Sequence, residues 1–318
     1  MKIVITDGFA LNPGDLDWGA IEALGEAIIY DRTDEADIVE RCQDADIVIT
    51  NKVPFSRQTL SQLPRLKFIA VTATGYNIID VKAATECGIV VSNIPAYSTD
   101  SVSQAVFALL LCITNRVEHY TRQIKLDKRW SHNPDFCYWD TQLTELAGKR
   151  IGIYGFGRIG QQVATIAHAF GMQVVAHTSK RQEELPLGCQ KLEGSDFWKK
   201  CDIISLHCPL TDNTRELVDE ARLCLMKPSC ILINTSRGPL INEKAVAKAL
   251  SDGHLLAYGA DVLCQEPPAA DNPLLGAPRV FLTPHIAWAT LEARTRLMNI
   301  LIENLHAFIE GNPINKVN

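Results

Sequence analysis

Short apolar runs alternate with longer amphipathic stretches from one end of the chain to the other. In the first part, residues 2–6, 46–50, 67–71 and 89–92 read as strands, with helical segments such as 17–24 and 56–63 between them. In the second part, strands are expected at 150–154, 173–177, 202–207, 230–235, 256–261 and 280–283. Runs this short and this apolar belong to buried strands, and the stretches between them are long enough for crossover helices. The expected fold class is therefore α/β, with two doubly wound parallel-sheet domains. No short-period repeat and no low-complexity tract interrupts the pattern.

Two joins stand out. Asn93-Ile94-Pro95-Ala96-Tyr97-Ser98-Thr99-Asp100 ends a strand run and supplies several N-cap side chains. An apolar helix carrying Val102, Val106, Leu109, Leu110 and Ile113 follows, and the chain is expected to cross between domains there. Residues 285–309 form another helix-rich run that would return the chain to the first domain. The expected division is 1–98 plus 289–318 for a discontinuous first domain and 99–288 for the second. Residues 130–141, rich in Trp, Phe, Tyr and Asn and without periodicity, read as a loop or arm over the surface.

Composition narrows the function classes. A length of 318 residues suits two domains with separate cores. With 47% apolar and 21% charged residues and a mean hydropathy of +0.01, the chain has an ordinary globular composition. A net charge of −6 and the lack of a basic stripe argue against nucleic acid and against an acidic membrane surface as partners. No apolar run reaches the roughly 18 residues of a membrane span. Met1 leads straight into a strand run without a secretory signal, so a cytoplasmic protein is expected. The ten cysteines form no C-x-x-C pair. They read as small buried hydrophobes in a reducing compartment, and no metal site is expected.

Chemistry enters with Gly155-Phe156-Gly157-Arg158-Ile159-Gly160, which follows the strand at 150–154 and opens a helix expected at 161–170. In that context Gly155 suits the tight turn, Gly157 lets backbone approach a pyrophosphate, and Gly160 lets helix pack on strand. The helix N-terminus offers unpaired N–H groups and a partial positive charge. The second domain is thus expected to be a Rossmann dinucleotide-binding domain.

Three later strand ends carry polar residues into the crevice where ligands of open α/β sheets bind. Arg237, in Asn234-Thr235-Ser236-Arg237-Gly238, suits a carboxylate through two-pronged hydrogen bonds. Glu266 lies on a loop stiffened by Pro267 and Pro268. His285, in Thr283-Pro284-His285-Ile286-Ala287, carries an imidazole, the kind of group that can give or take a proton at working pH. An anchor, a proton donor and a carboxylate to tune that donor, beside a nicotinamide, are the equipment for hydride transfer to a 2-keto acid.

These motifs, in this order, together with Leu206-His207-Cys208-Pro209-Leu210-Thr211 and Asp261-Val262, resemble the D-isomer-specific 2-hydroxyacid dehydrogenase family. Ala73-Thr74-Gly75-Tyr76-Asn77, Pro95-Ala96-Tyr97-Ser98 and His285-Ile286-Ala287-Trp288-Ala289 are similar to its glycerate dehydrogenase/hydroxypyruvate reductase branch. The resemblance implies that the first domain binds substrate, and that hydroxypyruvate or glyoxylate is reduced to D-glycerate or glycolate. It implies that Arg237 holds the substrate, that His285 is the acid in reduction and the base in oxidation, and that Glu266 favours the protonated imidazole. Thr74 and Gly75 would give backbone N–H groups to the substrate carboxylate. Gly155, Gly157, Arg158, Ile159, Gly160, Cys208, Pro209, Thr214, Thr235 and Asp261 would hold the cofactor, with Asp261 near the nicotinamide amide. A cleft that closes and a homodimer are implied too. Within the family, the histidine's partner in formate dehydrogenases is a glutamine, against Glu266 here. Many phosphoglycerate dehydrogenases carry a further regulatory domain that this length does not accommodate. A D-lactate or other D-2-hydroxyacid dehydrogenase is the alternative enzyme, and a cofactor-sensing corepressor is the alternative from another class.

NAD sites carry an acidic residue about 20 residues after the glycine turn, where it holds the ribose 2′-hydroxyl. Here that stretch reads Thr178-Ser179-Lys180-Arg181, with no acid. Without a carboxylate to repel a 2′-phosphate, the hydroxyls of Thr178 and Ser179 and the cations Lys180 and Arg181 are expected to favour NADP(H), with NAD(H) also usable.

Overall fold

A computed structural model describes residues 1–318, which fall into two compact units, Met1–Ser98 with Ala289–Asn318, and Thr99–Trp288. The first unit is built on five parallel strands: β1 (Lys2–Ile5), β2 (Glu26–Ile29), β3 (Ile47–Thr50), β4 (Phe68–Val71) and β5 (Val90–Ser92). Their order is β2-β1-β3-β4-β5. One face of the sheet, through Val4, Val48, Ile69 and Val91, packs on Ile38, Phe55, Leu60 and Ala83. Phe68, of the opposite parity, stacks on Phe308 of the helix Leu291–Ile309, with ring centres 4.4 Å apart. That helix buries Leu297, Leu301 and Leu305 at four-residue spacing, one stripe of a helix surface. Its N-terminus is capped by Thr290, whose side chain accepts from the Ala293 N–H.

The second unit carries seven parallel strands: β6 (Arg150–Tyr154), β7 (Gln173–His177), β8 (Cys189–Lys191), β9 (Ile203–Leu206), β10 (Ile231–Asn234), β11 (Ala257–Ala260) and β12 (Val280–Leu282). Alternate residues feed two cores. Ile151, Ile153, Val174, Ile203, Ile231 and Ile233 meet the helices Thr99–Asn115 and Arg158–Ala169. Val175, Ile204, Leu206, Leu232 and Tyr258 meet the other face's helices, among them Glu243–Ser251. Burial on both faces explains why these strands are apolar throughout rather than alternating. The order β12-β11-β10-β9-β6-β7-β8 reverses between β6 and β9, and this switch leaves a crevice beyond their C-terminal ends.

Three details differ from the sequence expectation. Two further strands, β2 and β8, pair at sheet edges. Both are only partly buried, so neither carries the unbroken apolar run of a central strand. The helices expected at 17–24 and 56–63 shorten to Gly19–Glu22 and Arg57–Leu60. The helix after the glycine turn starts at Arg158, so Gly160 lies in its first turn rather than before it.

The segment after the helix Val117–Lys125 contains a single 3-10 turn, Trp130–His132. It is tied back by Asp140, which accepts from His119 (2.9 Å) and Gln123 (2.7 Å) and pairs with Arg129. No helix is long and apolar enough to cross a membrane.

Candidate active site

The glycine turn uses each glycine differently. Gly155 has a φ of +94°, and a Cβ there would lie 2.7 Å from the backbone of His207 and Cys208. Only glycine allows both that dihedral and that approach between the ends of β6 and β9. At Gly160 a Cβ would lie 2.4 Å from the Gly155 carbonyl oxygen, so helix and turn touch backbone to backbone. Gly157 faces open space, with nothing within 4 Å of where a Cβ would be. As N-cap it also gives the helix Arg158–Ala169 no side-chain acceptor, so the first-turn N–H groups keep their donors for a ligand. Arg158 is exposed and Ile159 half-buried beside them.

Neighbouring strand ends continue this surface. Thr235 is buried, and its hydroxyl has no hydrogen-bond partner. Cys208 is buried, with burial raising its thiol to about 11, while Pro209 is exposed next to it. The Thr214 hydroxyl accepts from the Thr211 N–H (2.7 Å) and donates to the Pro209 carbonyl (2.7 Å), which closes that loop on itself. After β7, the Thr178 hydroxyl accepts from the Lys180 N–H at 3.2 Å, and Ser179 is exposed. Arg181 is already engaged: Glu184 accepts its N–H (2.8 Å) and its Nε (3.3 Å). Those contacts hold the Glu184 carboxyl below its usual range.

The Arg237 turn is shaped by its neighbours. The Asn234 side chain donates to the Arg237 carbonyl (2.9 Å) and accepts from the Ser236 N–H (3.0 Å). The Ser236 hydroxyl donates to the Leu206 carbonyl at 2.7 Å, pinning the turn to β9. The exposed Arg237 guanidinium donates to the Ser236 carbonyl at 2.7 Å and has no carboxylate partner within the chain. A Cβ on Gly238 would lie 2.0 Å from the Leu263 backbone. The glycine therefore lets the Arg237 turn press against the loop that leads to Glu266.

Glu266 and His285, 19 residues apart in sequence, meet at 2.6 Å between Oε2 and Nδ1. The other Glu266 oxygen accepts from the Leu263 N–H at 3.0 Å. The bond at Nδ1 orients the imidazole and leaves Nε2 as its other face. His285 has a left-handed φ of 56°, an unusual conformation for a non-glycine residue. Asp261 sustains it. This carboxylate is 2% exposed and accepts from the Thr283 hydroxyl (2.6 Å) and from the N–H groups of Ile286 and Ala287 (2.8 Å each). The His285 N–H donates to the Asp261 carbonyl at 2.8 Å. Asp261 is thus the staple of the turn that presents the imidazole.

Thr74 and Gly75 belong to the other unit, on the loop after β4. The Thr74 hydroxyl donates to the Ile94 carbonyl (2.8 Å), and the Thr74 carbonyl accepts from the Asn93 side chain (2.7 Å). The backbone N–H groups of Thr74 and Gly75 make no backbone hydrogen bond. Two residues that shape the site were not foreseen, Glu184 and Glu243. Each acts by folding back onto a distant or adjacent loop. The only local signal, an acidic residue near a helix start, is also what an ordinary cap looks like. No group of three or more His, Cys, Asp or Glu side chains is placed to hold a metal ion.

Comparison with known proteins adds the following. The family model for the D-isomer specific 2-hydroxyacid dehydrogenase, NAD binding domain, matches residues 107–287. A hydroxypyruvate reductase of Blautia hydrogenotrophica is 48% identical over 322 residues, covering 100% of both chains. Among solved structures, an acyclic imino acid reductase in complex with NADPH and D-Arg matches with a TM-score of 0.85 at 32% identity, covering 100% of both chains. A D-lactate dehydrogenase of Aquifex aeolicus, complexed with NAD and lactic acid, matches with a TM-score of 0.85 at 28% identity, over 98% of this chain and 96% of that one.

Proposed function

Since the chain belongs to the D-isomer-specific 2-hydroxyacid dehydrogenase family, we propose that it reduces small 2-keto acids with NAD(P)H, hydroxypyruvate and glyoxylate foremost, giving D-glycerate and glycolate. The observation that carries this reading is the 2.6 Å bond between His285 and Glu266, on the same sheet edge as an arginine with no carboxylate partner. Arg237 exchanges its bond to the Ser236 carbonyl for the substrate's carboxylate and keto oxygen. Thr74 and Gly75 add backbone N–H groups to the carboxylate. His285 then donates its Nε2 proton to the keto oxygen, and Glu266 stabilises and orients the imidazolium through Nδ1. In the oxidative direction the same imidazole takes the proton back.

The residues at the switch point fit a dinucleotide. The unpartnered Thr235 hydroxyl, the open face of Gly157 and the uncapped helix N-terminus are polar features that a bound ligand would complete. When bound, the nicotinamide cofactor supplies the hydride. In this reading Arg158 and Ile159 would touch the pyrophosphate, and Cys208, Pro209 and Thr214 would line the cofactor. Asp261, held by the turn that it staples, would lie near the nicotinamide amide. No carboxylate ends β7, which supports NADP(H) over NAD(H). Because Glu184 occupies Arg181, the 2′-phosphate falls to Thr178, Ser179 and Lys180.

A homodimer completes the reading. Leu126, Trp130, Phe136, Trp139 and Leu143, all exposed around the segment after Val117–Lys125, are the apolar surface that a second copy would cover. Ten free cysteines suit the cytoplasm.

The direct test is kcat/KM of purified protein on glyoxylate, hydroxypyruvate, pyruvate and phenylpyruvate with each cofactor. The expected ranking places hydroxypyruvate and glyoxylate above the other two, and NADPH above NADH. No turnover of any 2-keto acid would overturn the reaction. A strong NADH preference would overturn the cofactor assignment alone.

A further inference from the structure

The loop that carries Glu266 has its two feet on a single carboxylate. Glu243 is the first residue of the helix Glu243–Ser251, whose N-cap is already supplied by Asn242 through its bond to the Ala245 N–H. The Glu243 side chain is therefore free to reach elsewhere. Its Oε1 accepts from the Cys264 N–H at 2.8 Å, 21 residues away, and its Oε2 accepts from the Asn272 side chain at 2.9 Å. Cys264 and Asn272 bracket Glu266. Asn272 in turn caps the short helix Pro273–Gly276 through the Leu274 N–H, so the far foot is anchored on both sides. At the near foot, Gly238 lets the Arg237 turn press on the Leu263 backbone. Between these supports Glu266 bonds the Leu263 N–H with one oxygen and His285 with the other.

We infer that Glu243 is a positioning residue for the proton-transfer pair: by holding both feet of the 264–272 loop it fixes the Glu266 carboxylate at His285. The inference rests on the proposed reduction of 2-keto acids for its kinetic consequence, but not for its structural one. The nearby Cys264 thiol is pushed up to about 12, first by burial and then by Glu243, which keeps it a protonated neighbour rather than a competing nucleophile. The acceptor at Oε1 is the essential feature. A glutamine keeps it, but presents an N–H₂ to the Asn272 amide, so it holds one foot of two. An alanine holds neither.

The test compares Glu243→Ala and Glu243→Gln with the parent. Hydrogen exchange at the Cys264 amide is expected to rise about tenfold or more in Glu243→Ala and to stay near the parent's in Glu243→Gln. This readout does not depend on turnover. In hydroxypyruvate reduction, kcat of Glu243→Ala is expected to fall about 10- to 100-fold, the scale of a small misplacement at a reacting centre, with KM for NADPH unchanged. Glu243→Gln should recover most of that loss. If the effect passes through Glu266, Glu243→Ala combined with Glu266→Gln is no slower than Glu266→Gln alone. Unchanged exchange overturns the inference, as does a kcat within twofold of the parent or losses that combine in full. A parent that turns over no 2-keto acid overturns the proposed function instead, and the exchange measurement then decides the brace.

Discussion

The turn after β6 and the turn after β12 end strands of the same sheet and treat their polar groups in opposite ways. At residues 155–160 the helix lacks a side-chain cap, Gly157 faces open space, and nearby Thr235 has a buried hydroxyl without a partner. At residues 283–287 little is left open. Asp261 accepts three hydrogen bonds from that turn, and Glu266 grips the imidazole it presents. The first turn is left for a ligand to complete. The second is built in advance, so that in the proposed reaction the imidazole would be held without rearrangement when substrate binds. The proposed site, which would exchange its cofactor and keep its catalytic acid, needs both kinds of turn.

Asp261→Asn should break the prebuilt side hardest. One carboxylate oxygen becomes an N–H₂ group facing a backbone N–H, a loss on the order of 3 kcal/mol for a buried charged acceptor. Chemical denaturation should register it, and kcat should fall with it because the His285 turn loosens. On the open side, two alanines sharpen the contrast. Gly155→Ala meets both a φ of +94° and a backbone 2.7 Å away. It should cost about 2–4 kcal/mol of stability. Gly157→Ala meets nothing within 4 Å. It should leave stability within about 0.5 kcal/mol yet weaken NADPH binding in a fluorescence titration, since its methyl enters the ligand's space.

His207 carries a smaller expected effect than Asp261 or Gly155. Its Nδ1 is sealed and unpartnered, and burial lowers the imidazole from 6.5 to about 4. Between those values the unfolded chain binds a proton that the folded chain does not. Stability is therefore full above pH 6.5 and falls as pH drops towards about 4. After allowance for the ring's partial exposure the loss is about 2 kcal/mol. Urea midpoints across this range should fall in the parent and fall less steeply in His207→Gln.

The α/β class was legible because strands such as β6 and β7 are apolar on both faces, and their bounds read directly from the pattern. The edge strands β2 and β8 were not, because a strand half in solvent needs no apolar run. Arg237, Glu266 and His285 could be singled out because each polar residue closely follows a strand run. The sequence also suggested that Glu266 and His285 pair. It could not reveal how they are held. The Glu243 bond to Cys264 and the Asp261 bonds to 283–287 join residues 21 to 26 positions apart. Such closures leave no periodic trace. The occupied state of Arg181 was hidden for a different reason. Glu184 is only three residues away, but whether two exposed charges meet depends on the backbone of the short 3-10 turn between them.

The central claim is that the prebuilt His285–Glu266 pair supplies the proton for reduction of a 2-keto acid, while the open glycine turn binds the cofactor independently. Reduction of hydroxypyruvate by NADPH, followed by absorbance in parent and His285→Ala side by side, tests it most directly. The account predicts turnover to D-glycerate in the parent and a kcat lower by about 10²–10⁴-fold in the variant, with NADPH affinity unchanged. A variant with near-normal kcat, or a parent that leaves hydroxypyruvate untouched, would contradict it.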